Sequence, residues 1–336
     1  MMKNFISFAG LAKSSRGLIL AFLMFVFSSG ALLAQFPFQA RTQEPLKCVD
    51  RQCLIDLVDT YCKALVAHDP SLIPFAANAR FVENIDNKPL GEGLWQTASA
   101  TPSTFKIYVP DPAVGEVGFM GMMEEQGKPI MIALRLKVVE GFVLEAEHLV
   151  VRSLDPRNMK YLQTVRPGIL TVIPEKERMK RYEMAGIAYS YYDALIMDNG
   201  YLSPMADDCT RRENGSPASN SGIPDNETEE SPNYSALKTV AQLNTNMMDY
   251  IDDIDNVRVF AIDPVTGLAI GFSHFRHGMA KREFPIYNMP GVTSRQVQLP
   301  PFDLPAAHVY KISKGEIHEI EALGFLTGYM APSGWE

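Results

Sequence analysis

Between residues 50 and 66 apolar side chains recur at Leu54, Leu57, Val58, Tyr61 and Leu65. Steps of three and four lay one stripe along a helix, so the pattern predicts an amphipathic helix with one face on a core. A counterpart runs from about Glu175 through Ile196. A short second helix is expected after each, around Pro74 and Pro204, because proline is tolerated in a first turn. Strands are expected next, at Ala79–Asn84 and Thr210–Asn214. Beyond them the pattern alternates or is rich in β-formers. Thr104–Val109, Glu116–Glu124, Pro129–Val139 and Gly141–Arg152 follow the first helix pair, and Val257–Ile262, Leu268–Phe275, His308–Ile312 and Glu316–Leu323 the second. Gln126-Gly127 and Glu140-Gly141 supply hairpin turns. Helices first and an antiparallel sheet afterwards predict an α+β fold rather than a βαβ order.

The duplication is also written in the residues. Residues 57–84 align without a gap on 187–214, with identities at Tyr61/Tyr191, Ala64/Ala194, Leu65/Leu195, Leu72/Leu202, Pro74/Pro204, Ala76/Ala206, Glu83/Glu213 and Asn84/Asn214. Residues 137–149 align on 311–323, pairing Gly141 with Gly315, Glu145 with Glu319 and Glu147 with Glu321. Self-similarity of this kind marks a repeated unit. The offset grows from 130 to 174, so copy two carries 44 extra residues between its matched ends. Two polar or Pro-rich stretches, near 215–235 and 280–305, are expected to be the loops that hold them.

The first tenth of the chain reads as an address. Lys3, Lys13 and Arg16 precede the apolar run 18–27, and small residues follow up to Ala34. This fits a signal peptide over 1–34, an uncleaved anchor being the alternative. The mature chain is then expected to be secreted or periplasmic, with no membrane association after cleavage. About 300 residues remain, room for two domains, with 46% hydrophobic and 21% charged residues, ordinary for a globular protein. A net charge of -8 without a basic cluster outside the leader argues against a nucleic-acid partner. Oxidising surroundings make a Cys48–Cys53 bridge reasonable, although helical geometry would hold those side chains on different faces.

The stretches ALVAHDPSLIPFAANARFVEN, PLGEGLW, IHEIEALGF and the final SGW resemble the SnoaL-like branch of the NTF2-like superfamily. More narrowly, they resemble an uncharacterised family of secreted tandem SnoaL-like proteins of fungi and bacteria. The resemblance covers nearly all of 47–336. It implies two tandem cone-shaped domains, 47–153 and 175–330, each with N-terminal helices on a curved antiparallel sheet. The superfamily holds cofactor-free dehydratases, isomerases and cyclases as well as binding and scaffold members, so fold alone does not decide function. It also implies a partner for Cys209 near residues 239–242, where this chain has none, which leaves Cys209 as a buried free thiol. A monomer or weak homodimer is expected, because the two copies can satisfy each other within one chain.

Candidate chemistry is judged by what a cone interior would gather. Tyr191, like Tyr61, sits on the first helix of its copy and is a donor to a carbonyl or oxyanion, or else a core aromatic. Glu145/Glu147 and Glu319/Glu321 place two carboxylates on one face of a strand. On a concave face they would make an acid beside a base, and on a convex face a solvated stripe. Copy two holds four of the six histidines, His274, His277, His308 and His318. Three-residue spacing on a strand points His274 and His277 to opposite faces, which weakens a metal reading. Arg276 is suited to a carboxylate or enolate. Asp207-Asp208 with Arg211-Arg212 reads as a surface charge set, Asp208 being a candidate base, and Glu-Asn at 83–84 and 213–214 as a structural turn.

The catalytic set expected from sequence is therefore His274, His277, Tyr191, Arg276, Glu321 and Asp208, with no cofactor and no metal. They would serve an exported acid/base enzyme, a lyase, dehydratase or isomerase, acting on a small oxygenated molecule. The alternative is a non-catalytic ligand-binding or scaffold protein that uses the same cavity or sheet.

Overall fold

The computed structural model describes residues 44–47, 49–222 and 233–336. The expected leader, Cys48 and the middle of the first long loop lie outside the described residues. Helix α1 (Arg51–Val66) begins where the Asp50 side chain accepts the Cys53 N–H. A 3-10 turn at Pro70–Leu72 leads into β1 (Phe75–Glu83) and β2 (Asp86–Lys88). Then follow α2 (Leu94–Thr97), β3 (Ala98–Ala100), β4 (Lys106–Asp111), β5 (Glu116–Glu125), β6 (Lys128–Val139) and β7 (Phe142–Val151). A connection containing α3 (Pro167–Leu170) reaches α4 (Arg181–Ile196), β8 (Met205–Glu213), β9 (Ser216–Ser219), α5 (Thr239–Leu243), β10 (Asp253–Asp263) and β11 (Leu268–His277). The chain ends in the β12–β13 hairpin (Glu283–Pro285, Ser294–Gln296), β14 (Phe302–Ser313), β15 (Glu316–Gly324) and β16 (Thr327–Gly328). No helix among the described residues is long and apolar enough to cross a membrane.

The architecture is mixed α+β with two large sheets. One runs β2-β1-β7-β6-β5-β3 with β4 on β5, the other β10-β11-β14-β15-β8-β9 with β16 on β14. In each, the first strand lies parallel to the last, β1 on β7 and β8 on β15, amid antiparallel neighbours. The bounds of α1 and α4, and of β1 and β8, differ by 130 residues, and the first residues of β7 and β15 by 174, the two offsets present in the sequence. Glu140-Gly141 and Lys314-Gly315 close the matched hairpins with positive φ at both residues (51° and 83°, 53° and 85°). That is the twist a two-residue hairpin requires.

Three details differ from the sequence expectation. The turn after each long helix ends before Pro74 and Pro204, because Asp69 and Asn199 cap the 3-10 turns two residues on. The stretch 175–180 is a 3-10 turn and a linker, and the α4 helix proper starts at Arg181. The region 280–305 is not loop throughout, since it holds the β12–β13 hairpin and the start of β14.

Each helix packs on one face of its own sheet. Leu54, Val58, Tyr61 and Leu65 meet Val117, Ile132, Leu134 and Val150 in one core, and Ala188, Tyr191 and Leu195 meet Phe275, Tyr310 and Ile320 in another. A third core joins the opposite faces of the two sheets: Ile107, Met120, Met131 and Leu149 against Phe260, Ile270, Phe272 and Val309. The sheets approach so closely at Gly118 that a Cβ there would collide with Ile270. Reciprocal ion pairs frame this seam. Arg51 at the start of α1 reaches Asp263 at 2.8 Å, and Arg181 at the start of α4 reaches Asp111 at 2.6 Å.

Candidate active site in the second half

Alternation along β8, β11 and β14 sends one set of side chains toward α4 and the other toward the sheet seam. The inner set, with α4 and the segment before β10, lines a partly open cavity of about 130 Å³. Its polar lining is Tyr191, Glu213, Asn214, Tyr250, His277 and His308, and its apolar lining includes Leu195, Met248, Phe275 and Leu304. By volume this is close to the roughly 150 Å³ cavity that admits benzene in an engineered core.

Tyr191 is fully buried, and its hydroxyl oxygen accepts from Arg211 Nη1 at 3.0 Å. Arg211 is itself 2% exposed, donates to Gln242 Oε1 at 2.7 Å and pairs with Glu213 at 3.1 Å. With a guanidinium N–H on its oxygen, the Tyr191 hydroxyl keeps its own proton to donate. Burial raises its pKa and outweighs Arg211, so the phenol stays protonated.

Two buried imidazoles complete the polar set. His277 lies nearly parallel to Phe302 at 4.1 Å and stacks on Tyr250 at 5.3 Å with a 30° tilt, and its Nδ1 is buried with no hydrogen bond of full geometry. His308 sits among Tyr191, Tyr192 and Phe275, with Nδ1 3.4 Å from Tyr192 Oη. Burial lowers His277 to about 4. His308 is lowered to about 3 by burial and by the Arg211 charge. Both are neutral near pH 7 and able to accept a proton or a hydrogen bond.

The sequence-predicted residues divide sharply. Tyr191 and His277 meet at the cavity. His274 and Arg276 point to the other face of β11, as their spacing requires. Arg276 Nη1 there donates to Asp303 at 2.6 Å and faces His274 Nε2 at 3.3 Å. Glu321 is fully buried on the seam face of β15, bonded to Arg166 at 3.1 Å. Burial lifts its pKa to about 7 against the pull of Arg166 and Arg212. Asp208 lies on the exposed side of β8, 2.8 Å from His318 Nδ1. The Glu-x-Glu pairs occupy neither a concave nor a solvated face: Glu147 also lies in the seam, bidentate to Arg258 at 2.7 and 2.9 Å.

Glu213, Asn214, Tyr250 and His308 line the cavity although they are not in the catalytic set expected from sequence, and Arg211 supports Tyr191 without lining it. Arg211 is not part of a surface charge set, because strand alternation turns it inward while Arg212 goes to the seam side, against Tyr161 at 4.9 Å. The repeated Asn does the structural work expected of it. Asn84 both donates to and accepts from the Val150 backbone, and Asn214 does the same to Gly324.

The first half uses the matched frame differently. Tyr61 Oη lies 2.9 Å from His148 Nε2, and His148 Nδ1 lies 3.5 Å from Glu83, which also binds Arg152 at 2.9 Å. His148 faces Glu83 across the parallel strands where Ala322 faces Glu213. Trp95, fully buried, fills the space above Tyr61 at 5.1 Å. Replacing an imidazole by a methyl group, and Val150 by Gly324, helps leave the second half open.

Among the described residues no cluster of three or more His, Cys, Asp or Glu side chains is placed to hold a metal ion. Cys62 and Cys209 are buried free thiols.

A family model described as a domain of unknown function, DUF8021, matches residues 177–324, from just before α4 to the end of β15. No curated protein matches the chain. Among solved structures, the chain is similar to one titled a candidate polyketide cyclase from Silicibacter sp.. That similarity has 12% identity and a TM-score of 0.28, and covers 44% of this chain and 92% of the other.

Proposed function

We propose that the protein is an exported, tandem NTF2-like enzyme of the SnoaL-like kind whose second half performs cofactor-independent acid/base chemistry on a small oxygenated molecule. The observation that carries this reading is the convergence, in one cavity, of a tyrosine donor backed by a buried arginine and two neutral imidazoles. A lyase or isomerase step needs those parts. A carbonyl oxygen accepts from Tyr191. A histidine, His308 or His277, removes the proton from the adjacent carbon, and the C–H electron pair moves into the carbonyl to give an enolate held by Tyr191. In an isomerisation the imidazolium returns that proton to another carbon. In a dehydration it delivers the proton to the departing hydroxyl, which leaves as water while the new C=C bond forms. The mature chain is proposed to work in the periplasm or outside the cell.

The test is deuterium uptake. Small cyclic ketones and hydroxyketones are incubated with the protein in D2O and followed by mass spectrometry, beside the His308→Leu and His277→Phe variants. Leucine stands at the matching place in the first half, Leu134, so the first change suits the frame. Protein-dependent deuterium next to the carbonyl, lost in one variant, is the expected result. Uptake unchanged in both variants contradicts the assignment of the base.

A second reading has its own support. Imidazoles lowered to about 4 and about 3 are weak bases, and a carrier needs only hydrogen-bonding groups on an apolar wall. Retention of a ketone without deuterium uptake would favour this non-catalytic binding protein.

A further inference from the structure

The first half reveals what the cavity of the second is shaped to hold. Helix α2 is four residues long, and the Leu94 N–H donates to Glu83 at 2.8 Å while Thr97 Oγ1 donates to Glu125 at 2.6 Å. Glu83 matches Glu213 by the repeat. Glu125 matches His277 by sheet position, since each is the last residue of its strand and pairs with the first residue of the next, Lys128 and Phe302. Both matched residues line the second-half cavity. Thus α2 spans the place where the second half leaves an opening, and it turns Trp95 inward onto Tyr61, the match of Tyr191.

The two halves therefore present one binding frame in two states. In the first, an indole of the chain itself lies edge-on to the tyrosine, at 67° and 5.1 Å, and T-shaped to Phe75 at 6.2 Å. In the second the tyrosine faces a cavity. Its lining includes the rings of Tyr250 and His277, stacked at 5.3 Å, and of Phe275, while Phe302 stacks on His277 at 4.1 Å. The indole is an imperfect tenant: Trp95 Nε1 is buried, and its N–H reaches toward the Tyr61 hydroxyl without the geometry of a full hydrogen bond. In the second half the Tyr191 hydroxyl accepts from Arg211 and its proton has no acceptor among the described residues.

We propose that the second-half cavity is a receptor for a flat aromatic molecule, of one ring or indole size, with an acceptor oxygen for Tyr191, and that Trp95 is the first half's built-in stand-in for it. The inference rests on the cavity being the binding site, as proposed above, and specifies the ligand class. An aromatic guest gains edge-to-face contacts with Tyr191 and the lining rings beyond the area it buries, and an alicyclic guest of equal size does not.

Phenol and cyclohexanol separate these terms, since both carry one hydroxyl on a six-membered ring. In calorimetric titrations the protein is expected to take up one equivalent of phenol at least about tenfold more tightly than cyclohexanol, a difference of about 1.4 kcal/mol. Ala322→His, which installs the first half's residue, is expected to abolish uptake. Trp95→Ala is expected to raise the stoichiometry from one to two, and Trp95→Leu, which refills the space, to leave it at one. Equal affinities for the two alcohols would overturn the aromatic class while leaving the cavity as the site. Phenol uptake unaffected by Ala322→His would overturn the cavity itself, as would failure of either alcohol to bind at millimolar concentration. A folded Trp95→Ala protein that still takes up one equivalent would overturn the role given to Trp95.

Discussion

Tyr61 and Tyr191 occupy matched places on matched helices, yet one hydroxyl meets an imidazole and the other a guanidinium. That difference sets the chemistry open to each half. Tyr191→Phe should weaken phenol binding up to about tenfold, the net value of one buried hydrogen bond, with the fold unchanged by circular dichroism. Because burial holds His277 near 4 and His308 near 3, the deuterium-uptake rate should be flat from pH 8 down to about pH 5 and fall as the base protonates below about pH 4. A rate that falls through pH 6 to 7 would contradict those environments. Glu321 behaves oppositely. Its folded pKa of about 7 exceeds the ordinary carboxylate value. Its contribution to stability is therefore complete below about pH 4 and is lost as pH rises through about 7, about 3 kcal/mol at most. Melting at pH 5 and pH 8 should show that loss, and Glu321→Gln should remove most of it.

Among the elements, the long helices, the hairpins and the strands after them were legible because each carries its own periodicity or turn residues. Faces of strands were less so. Glu145 and Glu147 could not be assigned a side from their neighbours, and a bulge is the reason. Pairing slips between Lys137 and Val138 opposite β7, and between Lys311 and Ile312 opposite β15. Val143 therefore joins the inner core while Leu149 joins the seam, although simple alternation puts them together. The additional residues of the second half read as loops because they lack periodicity, yet they form a wall. Arg295 of β13 lies over the Tyr250 ring at 5.0 Å and donates to the Met247 carbonyl at 2.6 Å, holding the segment that carries Met248 and Tyr250. Arg211 escaped notice because two adjacent arginines look solvated until strand direction separates them. His308 stood among the histidines in view, but only its neighbours in space, Tyr191 and Tyr192, mark it as a cavity residue.

For the whole molecule, a core shared between the two sheets means that neither half has both faces of its sheet covered without the other. Heating should give one calorimetric transition with van't Hoff and calorimetric enthalpies equal; two separated transitions would contradict a common seam. Glu147→Ala removes the partner of the half-exposed Arg258 at the seam, a change expected to cost about 1–2 kcal/mol and to shift that single transition without splitting it. The same economy explains the division of labour, in which one half is filled by its own Trp95 and the other keeps a cavity of about 130 Å³. A crystal of the protein soaked in phenol tests this most directly. Density for one ring beside Tyr191, His277 and Tyr250, with none beside Trp95, is the predicted result. An empty second-half cavity, or a ring bound against Tyr61 instead, would contradict it.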